Sequence, residues 1–180
     1  MTDQSYERIA ASFHRRIDAI ASAVDHMAPG LEAATALLTQ AVLEDRKVLV
    51  CGCGEDATLA THLAATLRTP KEPGPALPAF AFHSDVQDGG AQLWRDLRTL
   101  SRDGDVLLCI DSGPGAALAH RCVDFAETRN LVVIAMSEKL SINGIACIEL
   151  QAKDPDLRSE LILMASHCLQ EEIKQTLLGE

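Results

Sequence analysis

The chain has 180 residues and a formal net charge of −10, and 47% of its residues are hydrophobic although only 3% are aromatic. This length is typical of one domain, and a core of small aliphatic residues is typical of helix-rich α/β proteins. The negative charge argues against sequence-independent nucleic-acid binding, which needs clustered Lys and Arg. No apolar run approaches the ~18 residues of a membrane span, and no secretion signal is recognisable, so we expect a cytoplasmic protein.

Two helices are predicted before the first strand. Residues 5–28 form the first, Pro29 and Gly30 break it, and residues 31–43 form the second. The first helix has an apolar stripe made of Ile9, Phe13, Ile17, Ile20 and Val24. Because an amphipathic helix ahead of an α/β unit often packs against another subunit, we expect a homo-oligomer, either a dimer or a tetramer.

A buried strand and a glycine turn follow the two helices. Val48 to Val50 form an apolar run without polar alternation, as expected of a strand covered on both faces of a parallel sheet. Gly52 and Gly54 come next, before a predicted helix over residues 57–67. Such a turn is where anions bind in α/β proteins. Here it carries Glu55 and Asp56, and their carboxylates would repel a phosphate.

The rest of the chain alternates between short apolar strands and helices. In order we predict a loop at 69–78, a strand at 79–82, a loop at 85–90, a helix at 91–101, strands at 105–110, 131–136 and 146–150, and helices at 116–129 and 154–178. Polar turns follow two of these strands, at 111–115 and 137–139. The pattern predicts a doubly wound parallel sheet with helices on both faces and a ligand site at its carboxyl edge.

Six cysteines are present, namely Cys51, Cys53, Cys109, Cys122, Cys147 and Cys168. Cys51 and Cys53 are too close for a C-x-x-C redox or zinc pair, and the other four are scattered singly in apolar segments. We interpret all six as small buried hydrophobic residues in a reducing compartment, and we do not expect them to bind a metal.

With both glycine turns placed, the chain resembles the sugar isomerase (SIS) domain family, in particular the phosphoheptose isomerases and the DnaA initiator-associating group. The residues that carry the resemblance are 47–54, His62 to Ala64, Leu77 to Ala79, Gly104 to Ile110, Val132 to Ala135, Glu160, and His167 to Leu169. The resemblance covers essentially the whole chain. It implies one SIS domain over residues 1–180, with an N-terminal helical oligomerisation segment at 1–45 and an α/β core at 46–180.

The resemblance also implies a fold and a chemistry. The fold is a flavodoxin-like three-layer sandwich with a five-stranded parallel sheet, and dimers pair into tetramers with a phosphosugar site between subunits. In active phosphoheptose isomerases a glutamate and a histidine move the proton during aldose–ketose conversion, and some members bind zinc near them. These two side chains can exchange a proton between adjacent carbons of a bound sugar.

Carried over to this chain, the resemblance gives an incomplete active site. The histidine is present as His167, but the glutamate position, four residues after His62, is Thr66, which cannot act as a base near neutral pH. Of four zinc-binding positions only His62 and His167 remain, so a metal site is weak and we expect no cofactor. The glutamine of that set is replaced by Ser159.

Several hydroxyl groups that hold the phosphate in the family are also missing. The first-turn serine is replaced by Asp56, and the second-turn serines by Asp111, Gly113 and Ala116, which leaves Ser112. The predicted ligand-binding residues, from the turns and the resemblance together, are Gly52, Gly54, Asp56, Asp111, Ser112, Ser137 and Ser159. Asp56 and Asp111 fit two interpretations: helix N-caps in a disused pocket, or ligands for a cation or for a cationic or hydroxyl-rich group.

Two functions follow. The favoured interpretation is a non-catalytic SIS protein, an oligomeric regulator or scaffold that binds a protein partner such as a replication initiator or a sugar-pathway enzyme. In that case the sugar site is inherited and altered, and His167 is an ordinary core or interface histidine. The alternative is an active sugar-phosphate isomerase with rearranged site residues, acting on sedoheptulose 7-phosphate with His167 as a catalytic residue.

Overall fold

Helices and short strands alternate along the chain. The computed structural model describes residues 3–69, 74–84, 90–138, 140, 142 and 144–179. The elements are α1 (Asp3–Leu43), β1 (Val48–Cys53), α2 (Asp56–Arg68), β2 (Ala79–Ser84), α3 (Ala91–Leu100), β3 (Val106–Asp111), α4 (Ala117–Glu127), β4 (Val132–Ser137), β5 (Ala146–Glu149) and α5 (Pro155–Leu178). From β1 onward they agree with the predicted elements to within a few residues at each end.

The five strands form one parallel sheet in the order β2-β1-β3-β4-β5. This confirms the predicted doubly wound α/β fold. The chain first adds β2 on one side of β1 and then crosses to add β3 on the other, so the strand order reverses between β1 and β3. Ligands of open α/β sheets bind where the order reverses, at the carboxyl ends of the strands. Those ends are Cys53 and Asp111.

Helices cover both faces of the sheet and bury alternate residues of each strand. Val50 and Leu108 pack into a core shared with α1, α2 and α5. Leu49 and Leu107 point to the opposite face and pack with residues of α3 and α4. This alternation follows from the two-residue period of a strand, and it produces the three layers that the resemblance implies.

The prediction of two N-terminal helices separated at Pro29 and Gly30 is wrong, because α1 is one helix over Asp3–Leu43. Pro29 removes one helical hydrogen bond but the helix continues, since tertiary packing stabilises both sides of it. A Cβ atom at Gly30 would lie 2.1 Å from the carbonyl oxygen of Cys147, so the glycine lets α1 rest directly on β5. Farther along α1, Ala34 and Leu38 are fully buried in the core.

Parts of three predicted loops lie outside the described residues, namely 70–73, 85–89 and position 139. None of the helices in the described ranges combines the length and the apolar character that crossing a membrane requires. The predicted division at 1–45 and 46–180 stays a prediction. The packing of α1 on β5 and α5 makes this helix part of the same core as the sheet.

Candidate functional site

The turn after β1 places Asp56 at the start of α2, on the carboxyl edge of the sheet. A Cβ atom at Gly52 would lie 2.5 Å from the carbonyl oxygen of Asp56, so glycine is required where the chain folds back on itself. Gly54 has a φ of 60°, a left-handed conformation that glycine adopts without steric cost. Both glycines shape the turn, and their role in ligand binding stays a prediction.

The turn after β3 is organised by the carboxylate of Asp111. Its Oδ2 accepts hydrogen bonds from the N–H groups of Leu118 at 2.7 Å and Ala119 at 3.1 Å. Its Oδ1 accepts one from the N–H of Gly113 at 3.3 Å. Leu118 and Ala119 lie in the first turn of α4, where N–H groups have no partner within the helix. Asp111 therefore caps α4, which is one of the two interpretations that the sequence leaves open.

Asp56 reaches the same turn from α2. Its Oδ2 accepts a hydrogen bond from the N–H of Ser112 at 2.8 Å, so the side chain does not cap its own helix. The residue is only 7% exposed, and within the described part of the chain its buried Oδ1 has no hydrogen-bond partner. Burial raises the pKa of Asp56 above its usual value, the charge of Asp111 adds to this effect, and the hydrogen bonds from Ser112 oppose it.

Two charged residues that the sequence analysis missed hold this turn in place. Glu138 accepts a hydrogen bond from the N–H of Gly115 at 3.0 Å through Oε2. Arg158 donates to Oε1 of Glu138 at 3.0 Å, and also to the carbonyl oxygens of Ser112 and Ala152. The available signals were weak, since Glu138 follows the fourth strand in a polar turn and Arg158 stands one turn into the last helix.

Carboxylates of the chain thus occupy the backbone amides that an anionic ligand would use. Five N–H groups within residues 112–119 donate to Asp56, Asp111 or Glu138. A phosphate at this edge would have to displace a carboxylate or approach it, and two unit charges about 4 Å apart repel by roughly 1 kcal/mol in bulk water and roughly 4 kcal/mol near a protein surface. Asp56 and Asp111 converge here, as their positions after neighbouring strands imply.

A second group of predicted residues comes together between α2 and α5. The rings of His62 and His167 lie edge to face, with their centroids 5.8 Å apart, and both side chains are exposed. Thr66 is half-buried one turn after His62, and its hydroxyl donates to the carbonyl oxygen of His62 at 2.9 Å. Gln170 of α5 donates to the carbonyl oxygen of Thr66 at 3.2 Å, which ties the two helices together.

This pair of imidazoles does not by itself fit a zinc ion. Structural and catalytic zinc sites use at least three protein ligands, and a threonine hydroxyl is not one of the usual donors. Thr66 offers no carboxylate, and Ser159 stands eight residues before His167, about 12 Å away along α5. We therefore assign no step of the chemistry to a zinc ion at this position.

The predicted serines are used within the fold. The hydroxyl of Ser137 is fully buried and donates to the carbonyl oxygen of Glu138 at 2.8 Å. The hydroxyl of Ser159 donates to the carbonyl oxygen of Pro155 at 3.3 Å within α5. Ser112 is half-buried beside Asp111 in the turn after β3. These contacts direct the hydroxyls of Ser137 and Ser159 to nearby carbonyl oxygens and not to the turn after β3. The ligand-binding roles of both serines stay predictions.

Comparison with known proteins identifies the family. A family model described as SIS domain matches residues 12–138. Phosphoheptose isomerase from Halorhodospira halophila is 31% identical over 199 residues, covering 97% of both chains, and the one from Thiobacillus denitrificans is 29% identical with the same coverage. The solved phosphoheptose isomerase from Francisella tularensis superposes with a TM-score of 0.80 at 23% identity, covering 97% of this chain and 100% of that one. This chain therefore belongs to the SIS domain family.

Proposed function

We propose that this chain is a sugar-phosphate isomerase of the phosphoheptose isomerase type in which His62 and His167 carry the proton transfer. The observation that carries the proposal is the pairing of these two exposed imidazoles, whose ring centroids lie 5.8 Å apart between α2 and α5. The names of the relatives support this alternative of the sequence analysis better than its favoured interpretation, a non-catalytic regulator.

The proposed chemistry needs two groups. One moves a proton between two adjacent carbons of the sugar, and the other moves a proton between the oxygens that those carbons carry. Imidazole can both accept and donate a proton near neutral pH, so either histidine can fill either role. We assign the carbon-bound proton to His167, which matches the family's histidine. His62 takes over the role of the missing glutamate, because Thr66 at that position has no group that can accept a proton near neutral pH.

The proposal includes a homo-oligomer, because the two histidines are exposed on one chain and a reaction site must exclude water. A stripe on α1 supports this assembly. It consists of large apolar side chains that are each more than half exposed, namely Tyr6, Ile9, Phe13, Ile17 and Val24. Four of these belong to the stripe that the sequence predicts. An exposed apolar surface of this kind marks a protein interface more often than a solvent-facing one.

A groove next to the stripe offers a place for the second copy. It has a volume of about 630 Å³, lies between α1 and α5, and is lined mainly by apolar side chains that include Val24, Leu31 and Met164. Val24 belongs to both the stripe and the groove, so one continuous apolar surface runs along α1. We propose that α1 of a second copy covers it, in a dimer or a tetramer.

A non-catalytic sugar-binding protein is the second candidate, and the turn after β3 favours it. The carboxylates of Asp56 and Asp111 hold the amides that would bind a phosphate, and Thr66 replaces the family's catalytic glutamate. Such a protein would act through a partner, for which the sequence analysis suggests a replication initiator. A cytoplasmic location is part of both proposals.

Solvent hydrogen exchange tests the proposed reaction directly. The purified protein is incubated with sedoheptulose 7-phosphate in D₂O, because proton transfer at carbon places one solvent deuterium in the sugar, which mass spectrometry detects. We expect incorporation with the unmodified protein and a loss of at least about 100-fold in His167→Ala and His62→Ala. His120→Ala, an exposed histidine on α4, is the matched control and should retain the full rate.

The same samples separate the two candidates. If no deuterium enters the sugar but sedoheptulose 7-phosphate raises the melting temperature, the isomerase proposal is wrong and the binding protein replaces it. If exchange persists in both histidine variants, the reaction is retained but its assignment to this pair is wrong. If neither exchange nor stabilisation is found, both candidates fail.

A further inference from the structure

Three cysteines that are far apart in the sequence meet inside the protein. Cys51 of β1 and Cys109 of β3 are partners in the register of two neighbouring parallel strands, so their side chains leave the sheet side by side on the same face. Cys122 comes from the second turn of α4, which packs on that face. Each of the three is fully buried. The sequence shows them as isolated residues because the strand register that joins them is set by tertiary structure.

The sulfur atoms are spaced as they would be around a common ion. All three Sγ atoms lie within 4.8 Å of one another, and those of Cys51 and Cys122 are 3.4 Å apart. Thiolate sulfurs at about 2.3 Å from a shared metal stand roughly 3.8–4.0 Å from each other, depending on whether the site is tetrahedral or planar. The separation between Cys51 and Cys122 is shorter than this value, and no pair is farther apart than 4.8 Å, so an ion between the sulfurs would require Cys51 and Cys122 to move slightly apart.

The chemistry of these side chains suits a metal ion. A thiolate is the form of cysteine that binds metals, and three thiolates can surround one soft ion. The three cysteines belong to two paired strands and to a helix packed on them, so the core brings their sulfurs together without an ion.

We propose that Cys51, Cys109 and Cys122 bind one soft metal ion, and that Cu(I) is the ion they fit best. Thiolate ligands select soft ions such as Cu(I), whereas zinc sites usually have four protein ligands or an open position for water. Within the described residues the cluster offers three sulfurs and no fourth Cys, His, Asp or Glu ligand, and its surroundings are apolar. The ion replaces thiol protons, which are released to solvent, so affinity rises with pH.

The cluster is separate from the proposed reaction site. Its residues lie on the face of the sheet that α3 and α4 cover, whereas His62 and His167 belong to α2 and α5, which cover the other face. Because the three sulfurs are fully buried, the ion must enter while the chain folds or when α4 opens locally. A site that is loaded during folding stabilises the folded state by an amount that grows with the logarithm of the affinity for the ion.

Refolding in the presence of metal tests the proposal. The full chain is unfolded under anaerobic, reducing conditions and refolded with one equivalent of Cu(I) or, separately, of Zn(II), then freed of unbound metal. We expect about one Cu(I) per chain to be retained, with thiolate-to-copper charge-transfer absorption, three sulfur neighbours by X-ray absorption and a higher melting temperature. Zn(II) should be retained less tightly in a direct competition between the two ions.

Single substitutions locate the ion. Cys51→Ala, Cys109→Ala and Cys122→Ala should each lose most of the bound copper, while Cys168→Ala, which removes a half-buried thiol on α5, should keep it. Circular dichroism of each metal-free variant checks that it refolds. If a variant does not refold, the copper content of the unmodified chain and the number of sulfur neighbours of its copper still test the proposal.

Three outcomes would overturn the proposal. The first is refolded, native-like protein that retains no copper. The second is copper that is lost equally from Cys168→Ala and from the cluster variants. The third is copper that X-ray absorption places next to nitrogen or oxygen ligands instead of three sulfurs.

Discussion

The carboxylate of Asp56 accepts a hydrogen bond from the backbone N–H of Ser112 at 2.8 Å. This contact joins the turn after β1 to the turn after β3, across the point where the strand order reverses. In open α/β sheets that point is where anionic ligands bind to backbone amides. Here the chain supplies its own anions, since Asp111 and Glu138 hold further amides of the same turn.

If Asp111 acts as an internal anion, replacing it with a shorter neutral residue should lower the stability of the protein and allow phosphate to bind in its place. In Asp111→Ser the amides of Leu118 and Ala119 lose a charged acceptor, and we expect the free energy of unfolding to fall by about 2–4 kcal/mol. Inorganic phosphate should restore part of this loss in the variant but should not stabilise the unmodified protein. Denaturant unfolding with and without phosphate measures both effects. A variant that is destabilised yet indifferent to phosphate would contradict the interpretation.

The raised pKa of Asp56 predicts a specific dependence of stability on pH. A carboxyl group whose pKa in the folded state is above its ordinary value of 3.8 stabilises the fold when it is protonated. That contribution is fully present below the ordinary value and is lost as pH rises through the higher folded value. Asp56→Asn keeps an acceptor for Ser112 but cannot ionise, so its stability relative to the unmodified protein should increase as the pH rises.

Urea unfolding at several pH values from about 4 to about 7 checks this trend. Asp25→Asn is a suitable control, because Asp25 is exposed on α1. The stability difference for the control should show a much smaller change with pH. A constant or decreasing difference for Asp56→Asn would mean that ionised Asp56 is not disfavoured in the folded protein.

The strands and most helices could be predicted because their patterns are local. The run from Val48 to Val50 is apolar on both faces, and the helix of Asp56–Arg68 has a regular apolar spacing, so neither depends on distant residues. The break at Pro29 was predicted from an equally local rule and is wrong. What overrides it is contact between Gly30 and Cys147, more than a hundred residues away in the sequence.

The candidate site could be predicted only in part, for the same reason. The two carboxylates were placed correctly at the ends of β1 and β3, since parallel strands end at the same edge. Which amide each carboxylate contacts depends on the conformation of the turns, and the sequence has no direct signal for it. The role of Arg158 could not be predicted either, because its contacts with Ser112 and Glu138 join three separate segments of the chain.

Replacing Arg158 should therefore destabilise the protein by more than the loss of a single ion pair would. Its side chain is 14% exposed and serves two carbonyl oxygens as well as Glu138. In Arg158→Met the aliphatic volume is kept but these acceptors lose their donor, and we expect a loss of about 2–4 kcal/mol. Arg158→Lys should rescue little, since an ammonium group cannot reach the same three acceptors in one plane.

A double substitution with Glu138→Gln separates the ion pair from the carbonyl contacts. If the pair dominated, Arg158→Met would cost little in the Glu138→Gln background. We expect most of the cost to remain there, because the contacts with Ser112 and Ala152 do not depend on Glu138. Urea unfolding of the four proteins gives the coupling energy.

The exposed stripe on α1 predicts that one charge can dissociate the oligomer. Phe13 is 68% exposed in the middle of the stripe, and Phe13→Glu would bury a carboxylate in any interface that uses it. We expect a shift to monomer in sedimentation or light-scattering measurements. Ala11→Glu adds the same charge on the opposite side of the helix and should leave the mass unchanged. An unmodified protein that is already monomeric, or a Phe13→Glu variant of unchanged mass, would show that this stripe is not the interface.

On the proposed function, Thr66→Glu should raise the rate of the reaction, because residue 66 is where the resemblance places the glutamate of the active isomerases. The new carboxylate would stand one helical turn after His62 and beside the pair that His62 forms with His167. A positioned general base contributes about 10²–10⁴-fold to a proton transfer, so deuterium incorporation into sedoheptulose 7-phosphate should rise by up to that factor. Thr66→Gln has nearly the same shape without the proton acceptor and is the matched control. If both variants leave the rate unchanged, the geometry around residue 66 does not direct the side chain at the sugar; if both raise it equally, the effect comes from shape and not from proton transfer.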